Sequence, residues 1–331
     1  FWDGGMFVGP DNRPYYIIRG NDGFQMRRFN GTSWENAGGN LSDIDSRYEL
    51  HIGINPVTKW PVISFGENIR VFNGANWDPI YFPDYNEEIE RWSIGFSKTG
   101  QPIFAVTNEV RDKDGNRVGV NLSFKRYYGG TWISNSKTVF VDIKLIGLIP
   151  KVLPGPGENT FYVVMDGAWT RPIFEYFDGV NWKDDISSSG LPSGAGTWIK
   201  DYALHPDGTL YLAMSSKGDG FKPSLYRFTG SGWTIVGPTQ FISTVNESAS
   251  NIQLAFDSEG NPIIASCSNS PDYITRVWKF SGSNWHQLGP AYDVEWGEIH
   301  GLAITQDDVP LIGYNGSNGT SLGVFKWSFD P

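Results

Sequence analysis

An aromatic residue, a variable residue, Gly, two more variable residues and Trp recur in that order six times along the chain. The copies read "FNGTSW" at 29–34, "FNGANW" at 72–77, "YYGGTW" at 127–132, "FDGVNW" at 177–182, "FTGSGW" at 228–233 and "FSGSNW" at 280–285. Their tryptophans, Trp34, Trp77, Trp132, Trp182, Trp233 and Trp285, stand 43, 55, 50, 51 and 52 residues apart. A seventh copy opens in "VFKWSFDP" at 324–331, with Trp327 at the place of the first aromatic and no Gly-x-x-Trp half. A period this long is too large for one helix or strand. It describes a supersecondary unit whose hydrophobic faces are completed by the neighbouring units.

Each period also has a first half of constant shape. "MFVGPDNRPYYII" at 6–18, "IGINPVTKWPVIS" at 52–64, "IGFSKTGQPIFAV" at 94–106, "YALHPDGTLYLAM" at 202–214, "LAFDSEGNPIIAS" at 254–266 and "LAITQDDVPLIGY" at 302–314 show it. Each is an apolar strand, a polar turn and a second apolar strand, often entered through Pro, which costs no ladder bond at a strand's first residue. The fourth copy, "KVLPGPGENTFYVV" at 151–164, departs most and predicts an irregular hairpin. The third strand alternates apolar and polar residues. A basic residue precedes the motif aromatic at Arg28, Arg126, Arg227, Lys279 and Lys326, which suits a half-exposed strand toward an outer rim. Four strands in about fifty residues, stacked in series, predict an all-β fold, a seven-bladed β-propeller of four-stranded antiparallel blades. We expect a single domain over 1–331, with blades near 6–48, 49–90, 91–145, 146–198, 199–250, 251–299 and 300–331 plus 1–5. The N-terminal residues are expected to close the last blade.

On these residues the chain resembles the seven-bladed propellers of secreted or surface-exposed bacterial proteins. Those often carry Phe-x-Gly-x-x-Trp beside an apolar-Asp-x-x-Gly-x-Pro hairpin, as "LAFDSEGNPIIAS" does here. The resemblance covers nearly the whole chain and is specific to architecture. It implies a fold shared by adhesins, sugar-binding modules, enzymes and inert spacers, so no single activity comes with it.

Composition narrows the partners. Aromatic residues make up 15% of the chain and Gly numbers 40, as many short strands joined by tight turns require. The net charge of −10 argues against a nucleic-acid partner, which needs clustered Lys and Arg. Cys267 is the only cysteine, so there is no internal disulfide, and it ends an apolar run, which reads as a buried, inert thiol rather than a reactive one. No stretch resembles a membrane span or a signal peptide, so no membrane insertion is expected. The chain begins at Phe1, and we expect a mature product, located outside the cell or on its surface, from which an export signal has been removed.

The motif itself reads as scaffolding. Its Gly supplies the positive φ of a two-residue turn between the third and fourth strands. The aromatic and the Trp then flank that turn as a cross-strand pair, which contributes about 0.2–1 kcal/mol beyond burial. A lectin with one sugar per Trp would repeat its polar sugar-gripping groups as well. The residue after the Trp instead changes from copy to copy: Glu35, Asp78, Ile133, Lys183, Thr234 and His286.

Function is therefore sought in loops that do not repeat. "DPIYFPDYNEEIERW" at 78–92, "VTNEVRDKDGNRVGV" at 106–120, "DDISSSGLPSGAGTW" at 184–198 and "QLGPAYDVEWGEIH" at 287–300 are expected on one face, around a central channel. His51, Ser93, Asp201, Gln253 and Gly301, just before the first strands, are predicted to rim it. The candidate ligand-binding set is Trp92, Arg91, His51, His300, Glu298, Trp198, Tyr202, Trp296 and Tyr85. Indole platforms with a few polar groups suit a carbohydrate or a peptide.

The leading expectation is a non-catalytic binding or adhesion module for a glycan or protein partner. Two other readings stay open. One is a carbohydrate-active enzyme, a polysaccharide lyase or glycoside hydrolase, with its site at the channel mouth. It would use His51 and His300 as an acid/base pair, or two carboxylates from among Asp84, Glu87, Glu88, Glu90, Asp201 and Glu298. The other is a scaffold propeller in a surface assembly. No cofactor is expected. "DKDGN" at 112–116 begins like a Ca2+ loop, with Asp112, Asp114 and Asn116 at alternate positions, but the downstream Glu is missing and the same residues make hairpin turns.

Overall fold

The computed structural model describes residues 5–20, 23–38, 41, 44, 50–65, 68–80, 91–129, 131–139, 149–166, 173–183, 189–192, 197–216, 220–238, 249–268, 274–293, 299–315 and 322–326. Regular structure among them is β-strand throughout. The strands are β1 (Gly5–Val8), β2 (Pro14–Gly20), β3 (Gly23–Phe29), β4 (Trp34–Asn36), β5 (His51–Ile54), β6 (Pro61–Phe65), β7 (Asn68–Phe72) and β8 (Trp77–Ile80). There follow β9 (Arg91–Phe96), β10 (Pro102–Arg111), β11 (Arg117–Tyr128), β12 (Thr131–Val139), β13 (Ile149–Pro154), β14 (Phe161–Asp166), β15 (Ile173–Phe177) and β16 (Trp182–Lys183). The last are β17 (Thr197–Leu204), β18 (Leu210–Ser216), β19 (Pro223–Phe228), β20 (Trp233–Ile235), β21 (Ala249–Phe256), β22 (Pro262–Ser268), β23 (Ile274–Ser281), β24 (Asn284–Asp293), β25 (Ile299–Ile304), β26 (Pro310–Asn315) and β27 (Leu322–Lys326). No helix among the described residues is long and apolar enough to cross a membrane.

Consecutive strands pair antiparallel into six four-stranded sheets, β1–β4 through β21–β24, while β25-β26-β27 forms a sheet of three. This corrects the expectation of seven four-stranded blades: six are present among the described residues. The physical reason lies in the repeat. In the other copies Gly-x-x-Trp turns the chain and supplies the fourth strand, and the seventh copy lacks that half. Of residues 1–5, expected to close the last blade, residues 1–4 lie outside the described residues and Gly5 opens β1. The chain forms two compact units, one containing residues 17–187 and the other residues 5–16 with 188–331.

Local chemistry accounts for the strand boundaries. β2, β6, β10, β22 and β26 each begin at a proline. The turns before β2, β10, β18, β22 and β26 share one geometry, as in Asp257, whose N–H donates to Asn261 O while Gly260 N–H donates to Asp257 O. The turn before β6 is one residue longer, with Asn55 N–H donating to Trp60 O. The left-handed position of this turn is Gly100, Gly208 or Gly260 in three copies, and Asn12 or Asp308 in two others. Asn and Asp tolerate positive φ best after Gly.

Each of the six motif aromatics lies directly opposite its Trp: Phe29 opposite Trp34, Phe72 opposite Trp77, Tyr127 opposite Trp132, Phe177 opposite Trp182, Phe228 opposite Trp233 and Phe280 opposite Trp285. The ring centroids are 5.2 to 5.6 Å apart. Gly31 shows why the turn glycine is constant. A Cβ there would meet nothing within 4 Å, so its φ of +105° is what excludes other residues. The changing residue after the Trp tracks the turn: Asp78 accepts from Asn73 Nδ2 at 2.7 Å, whereas Lys183 pairs with Asp178 at 3.2 Å. The basic residue before the aromatic is put to use as well. Arg28 pairs with Glu35, Lys279 with the buried Asp257, and Arg126 lies over the Phe177 ring.

The core lies between neighbouring sheets, so the inner strands are buried on both faces and read as continuous apolar runs. In the first unit, Phe104 and Val106 of β10 pack with Val62, Ile69, Ile94 and Phe96. Their alternates Ile103 and Ala105 pack with Phe124, Val152, Phe161 and Phe177. In the second unit β22 does the same, with Ile264 in one cluster and Ile263, Ala265 and the fully buried Cys267 in another.

Candidate functional site

In the first unit, β5 lies beside β9 and β9 beside β13. Two glycines let them approach. A Cβ on Gly53 would stand 3.0 Å from Ile94 O, and one on Gly95 only 2.5 Å from Val152 O. This packing gathers the strand starts, where His51 opens β5, Arg91 and Trp92 open β9, and Lys151 lies early in β13. The His51 imidazole meets the Trp92 indole edge-on, with centroids 5.5 Å apart at 71°. Trp92 is also held from behind. It shares a strand face with Ile94 and Phe96 and packs on the cluster that they form with Val62, Ile69, Phe104 and Val106.

Burial, reinforced by the nearby Lys151 and Arg91 charges, lowers the His51 pKa to about 4. The imidazole is therefore neutral at physiological pH. The unfolded chain, with an ordinary His, binds a proton between roughly pH 6.5 and 4 that the folded chain refuses. This contribution to stability is full above about pH 6.5 and is lost as the pH falls toward 4. We expect His51→Gln to flatten that part of the stability–pH curve, by up to about 3 kcal/mol at its acid end, as measured by urea unfolding at a series of pH values.

The corresponding positions of the second unit are occupied structurally. Asp201 accepts from Tyr202 N–H at 2.8 Å and, across to the next sheet, from Leu254 N–H at 2.7 Å. Asn251 Nδ2 donates to Ile299 O at 2.5 Å, and Gln253 donates to Asn251. β17, β21 and β25 each shift register near their starts, leaving Lys200, Ser250 and His300 as the bulged residues. A bulge re-aims its side chain and is common beside functional sites, yet nothing in the local sequence marks these three.

The predicted site residues thus fall into three groups. His51, Arg91 and Trp92 come together in the first unit. Tyr202, Trp198 and His300 belong to the second, where Trp198 and His300 are placed as strand positions. Tyr85, Trp296 and Glu298 lie outside the described residues, as do Asp84, Glu87, Glu88 and Glu90. Trp92 and Trp198 stand in first strands rather than in loops, and His51, Ser93, Asp201, Gln253 and Gly301 lie within those strands rather than before them. The first strands start earlier than the apolar pattern indicates because polar residues still pair there. Sequence reasoning missed Lys151, whose irregular "KVLPGPGENT" setting hid an otherwise ordinary first strand. At 112–116, Asp112 accepts from Asp114 N–H and Asn116 N–H at 2.9 Å each, which closes the β10–β11 hairpin. These bonds, chiefly those from Asn116, hold its carboxyl below the usual range. Among the described residues no three His, Cys, Asp or Glu side chains are grouped to hold a metal.

Comparison with solved structures decides the fold. The chain is similar over its full length to the β-propeller domain of the trilobed protease of Pyrococcus furiosus, at 8% identity and TM-score 0.54, covering 96% of that chain. The fold is a β-propeller. An ulvan lyase, a polysaccharide lyase seen with a bound saccharide, is similar at 12% identity and TM-score 0.57, over 99% of this chain and 92% of that one. The acylaminoacyl peptidase of Pyrococcus horikoshii matches all of this chain with 51% of its own, at 9% identity and TM-score 0.57. At such identities the propeller fold is shared with a lyase and with peptidases, and the likeness extends no further. No protein-family model and no curated protein sequence matches the chain.

Proposed function

We propose that this propeller is a non-catalytic recognition module, outside the cell or on its surface, that binds a glycan at the strand-start edge of the first unit. The observation that carries the reading is the edge-on pair of His51 and Trp92. An indole packed from behind by Ile94 and Phe96 is a fixed apolar wall, and the imidazole beside it, neutral, is a polar group that combines a donor and an acceptor nitrogen. A sugar ring, with an apolar face and a rim of hydroxyls, matches both. The same imidazole is ill suited to proton transfer. At a pKa of about 4 it is a weak base near neutral pH and is not the imidazolium that a general acid would need. Asp201, the described member of the carboxylate set, is committed to two backbone amides.

A glycan array with the wild-type chain, His51→Gln and Trp92→Phe tests the reading. Specific binding that weakens about tenfold in each variant supports it, a loss equivalent to about 1.4 kcal/mol. A parallel screen on polysaccharides reads product release. Release that disappears in His51→Gln would replace the module with a carbohydrate-active enzyme. Silence on every glycan, with one protein captured specifically and independently of His51, would replace it with a scaffold.

A further inference from the structure

We propose that Asn30 is a modification site, where the folded chain converts its own side-chain amide to a carboxylate, and that the matching Asn73 is protected from the same change. Asparagine followed by glycine is open to this reaction because glycine puts no side chain beside the attacking nitrogen. Asn30-Gly31 and Asn73-Gly74 are the two such pairs wholly within the described residues, each preceded by Phe in a motif turn. The reaction takes water as its only co-reactant. Gly31 N attacks Asn30 Cγ and loses its proton; the new C–N bond forms, the Cγ–Nδ2 bond breaks, and that proton leaves with Nδ2 as ammonia. Water then opens the resulting cyclic imide at either carbonyl, leaving Asp or isoaspartate, and nothing is oxidised or reduced.

Both turns prepare the attack in the same way. Asn30 Oδ1 accepts from Thr32 N–H at 3.0 Å and from Ser33 N–H and the Thr32 hydroxyl at 2.9 Å each. Asn73 Oδ1 accepts from Ala75 N–H at 2.9 Å and Asn76 N–H at 2.8 Å. These donors face the oxygen on which charge grows as Cγ is attacked, as in an oxyanion hole. Among the described residues neither Gly31 N–H nor Gly74 N–H is hydrogen-bonded, so the nucleophile breaks no bond to react.

The turns differ at the leaving group and above the glycine. Asn73 Nδ2 donates to the Asp78 carboxylate at 2.7 Å, a charge-assisted bond that departing ammonia would forfeit. Asn30 Nδ2 has only longer contacts, 3.3 Å to Ser33 Oγ and 3.5 Å to Glu35 Oε2. A Cβ on Gly74 would stand 3.4 Å from the Trp60 indole, whereas one on Gly31 would meet nothing within 4 Å. The Gly31 peptide therefore has more room to swing onto its Cγ. The products differ as well. In the fourth blade the acid already occupies this place: Asp178 accepts from Val180 N–H at 2.9 Å and Asn181 N–H at 2.7 Å, and Lys183 balances it at 3.2 Å. A carboxylate at 30 would stand beside Glu35, which Arg28 already pairs, while one at 73 would confront Asp78.

Ageing the intact chain in mildly alkaline buffer, with and without urea, and mapping its peptides by mass spectrometry tests this. In the folded chain we expect Asp and isoaspartate to accumulate at residue 30 at least about fivefold faster than at residue 73. In urea, where only the shared Phe-Asn-Gly sequence acts, the two rates should agree within about twofold. Asp78→Ala should quicken conversion at Asn73 by about threefold and leave Asn30 unchanged, as the loss of one charge-assisted bond to the leaving amide requires. Asn30→Gln should abolish the signal from its peptide. Equal rates in the folded chain, faster conversion at Asn73, or an Asn30 that converts only in urea would overturn the proposal. The same preference for Asn30 in urea as in the folded chain would overturn it too, since the difference would then belong to the sequence and not to the two turns.

Discussion

Replacing Phe161 by Ala should lower the unfolding free energy of the first unit by about 3–5 kcal/mol, the loss expected for a buried aromatic whose site cannot collapse. Phe161 is fully buried, with its ring centroid 4.6 Å from that of Phe124 and 5.1 Å from that of Phe177. Trp182 closes the group at 6.0 Å from Phe161 and 4.9 Å from Phe124. These four rings come from two sheets, so the cavity would open between sheets that are each held by their own ladder. The backbone has no cheap way to fill it. Urea unfolding followed by tryptophan fluorescence measures the change. A loss below about 1 kcal/mol would show that the rings repack freely. Phe161→Leu, which keeps most of the volume, should recover much of the loss.

Glu175→Ala should be almost as damaging, at about 3–5 kcal/mol, for an electrostatic reason. Glu175 is 6% exposed and shares its face of β15 with Ile173 and Phe177, which belong to the aromatic cluster. Its carboxylate binds Lys137 Nζ from β12 of the preceding sheet, and the ammonium lies 5.9 Å from the Trp182 ring centroid. Removing the carboxylate leaves a mostly buried cation without its counter-charge. Replacing both partners by apolar residues of similar size, Lys137→Met with Glu175→Leu, removes that penalty and should return stability to within about 1–2 kcal/mol of the wild type. Equal destabilisation in the single and double variants would mean that packing, not the buried charge, carries the effect.

Much of the blade was legible in advance because its determinants are local. The turn glycine, the aromatic before it and the Trp after it lie within six residues, and a two-residue turn leaves them no other register. Proline marks the second strands for a similarly local reason, since it lacks the N–H that a strand interior would need. The count of complete blades failed at the seventh copy, whose fourth strand was expected from the N-terminal residues and is absent from the described sheet of three strands. The seventh copy keeps the hairpin and third strand but not the residues that build a fourth.

The candidate site was legible only in part. His51, Arg91 and Trp92 were identified by type, as an imidazole, a cation and an indole near a strand start. Lys151 was not, because an irregular hairpin obscured the register of its blade. The structural use of Asp201 and Asn251 was hidden as well. Each bonds a backbone group in the next sheet, and a one-dimensional pattern carries no trace of that.

The sequence alone therefore determined the unit, four antiparallel strands clasped by an aromatic pair, because hairpin register depends on neighbours a few residues apart. Only the tertiary structure decided which strand starts meet. It set His51 against Trp92 and placed Arg91 and Lys151 beside them, from segments about forty to a hundred residues apart in the chain. Burial and two nearby cations then fixed the imidazole in its neutral form, a property of the assembled sheets and not of any stretch of sequence.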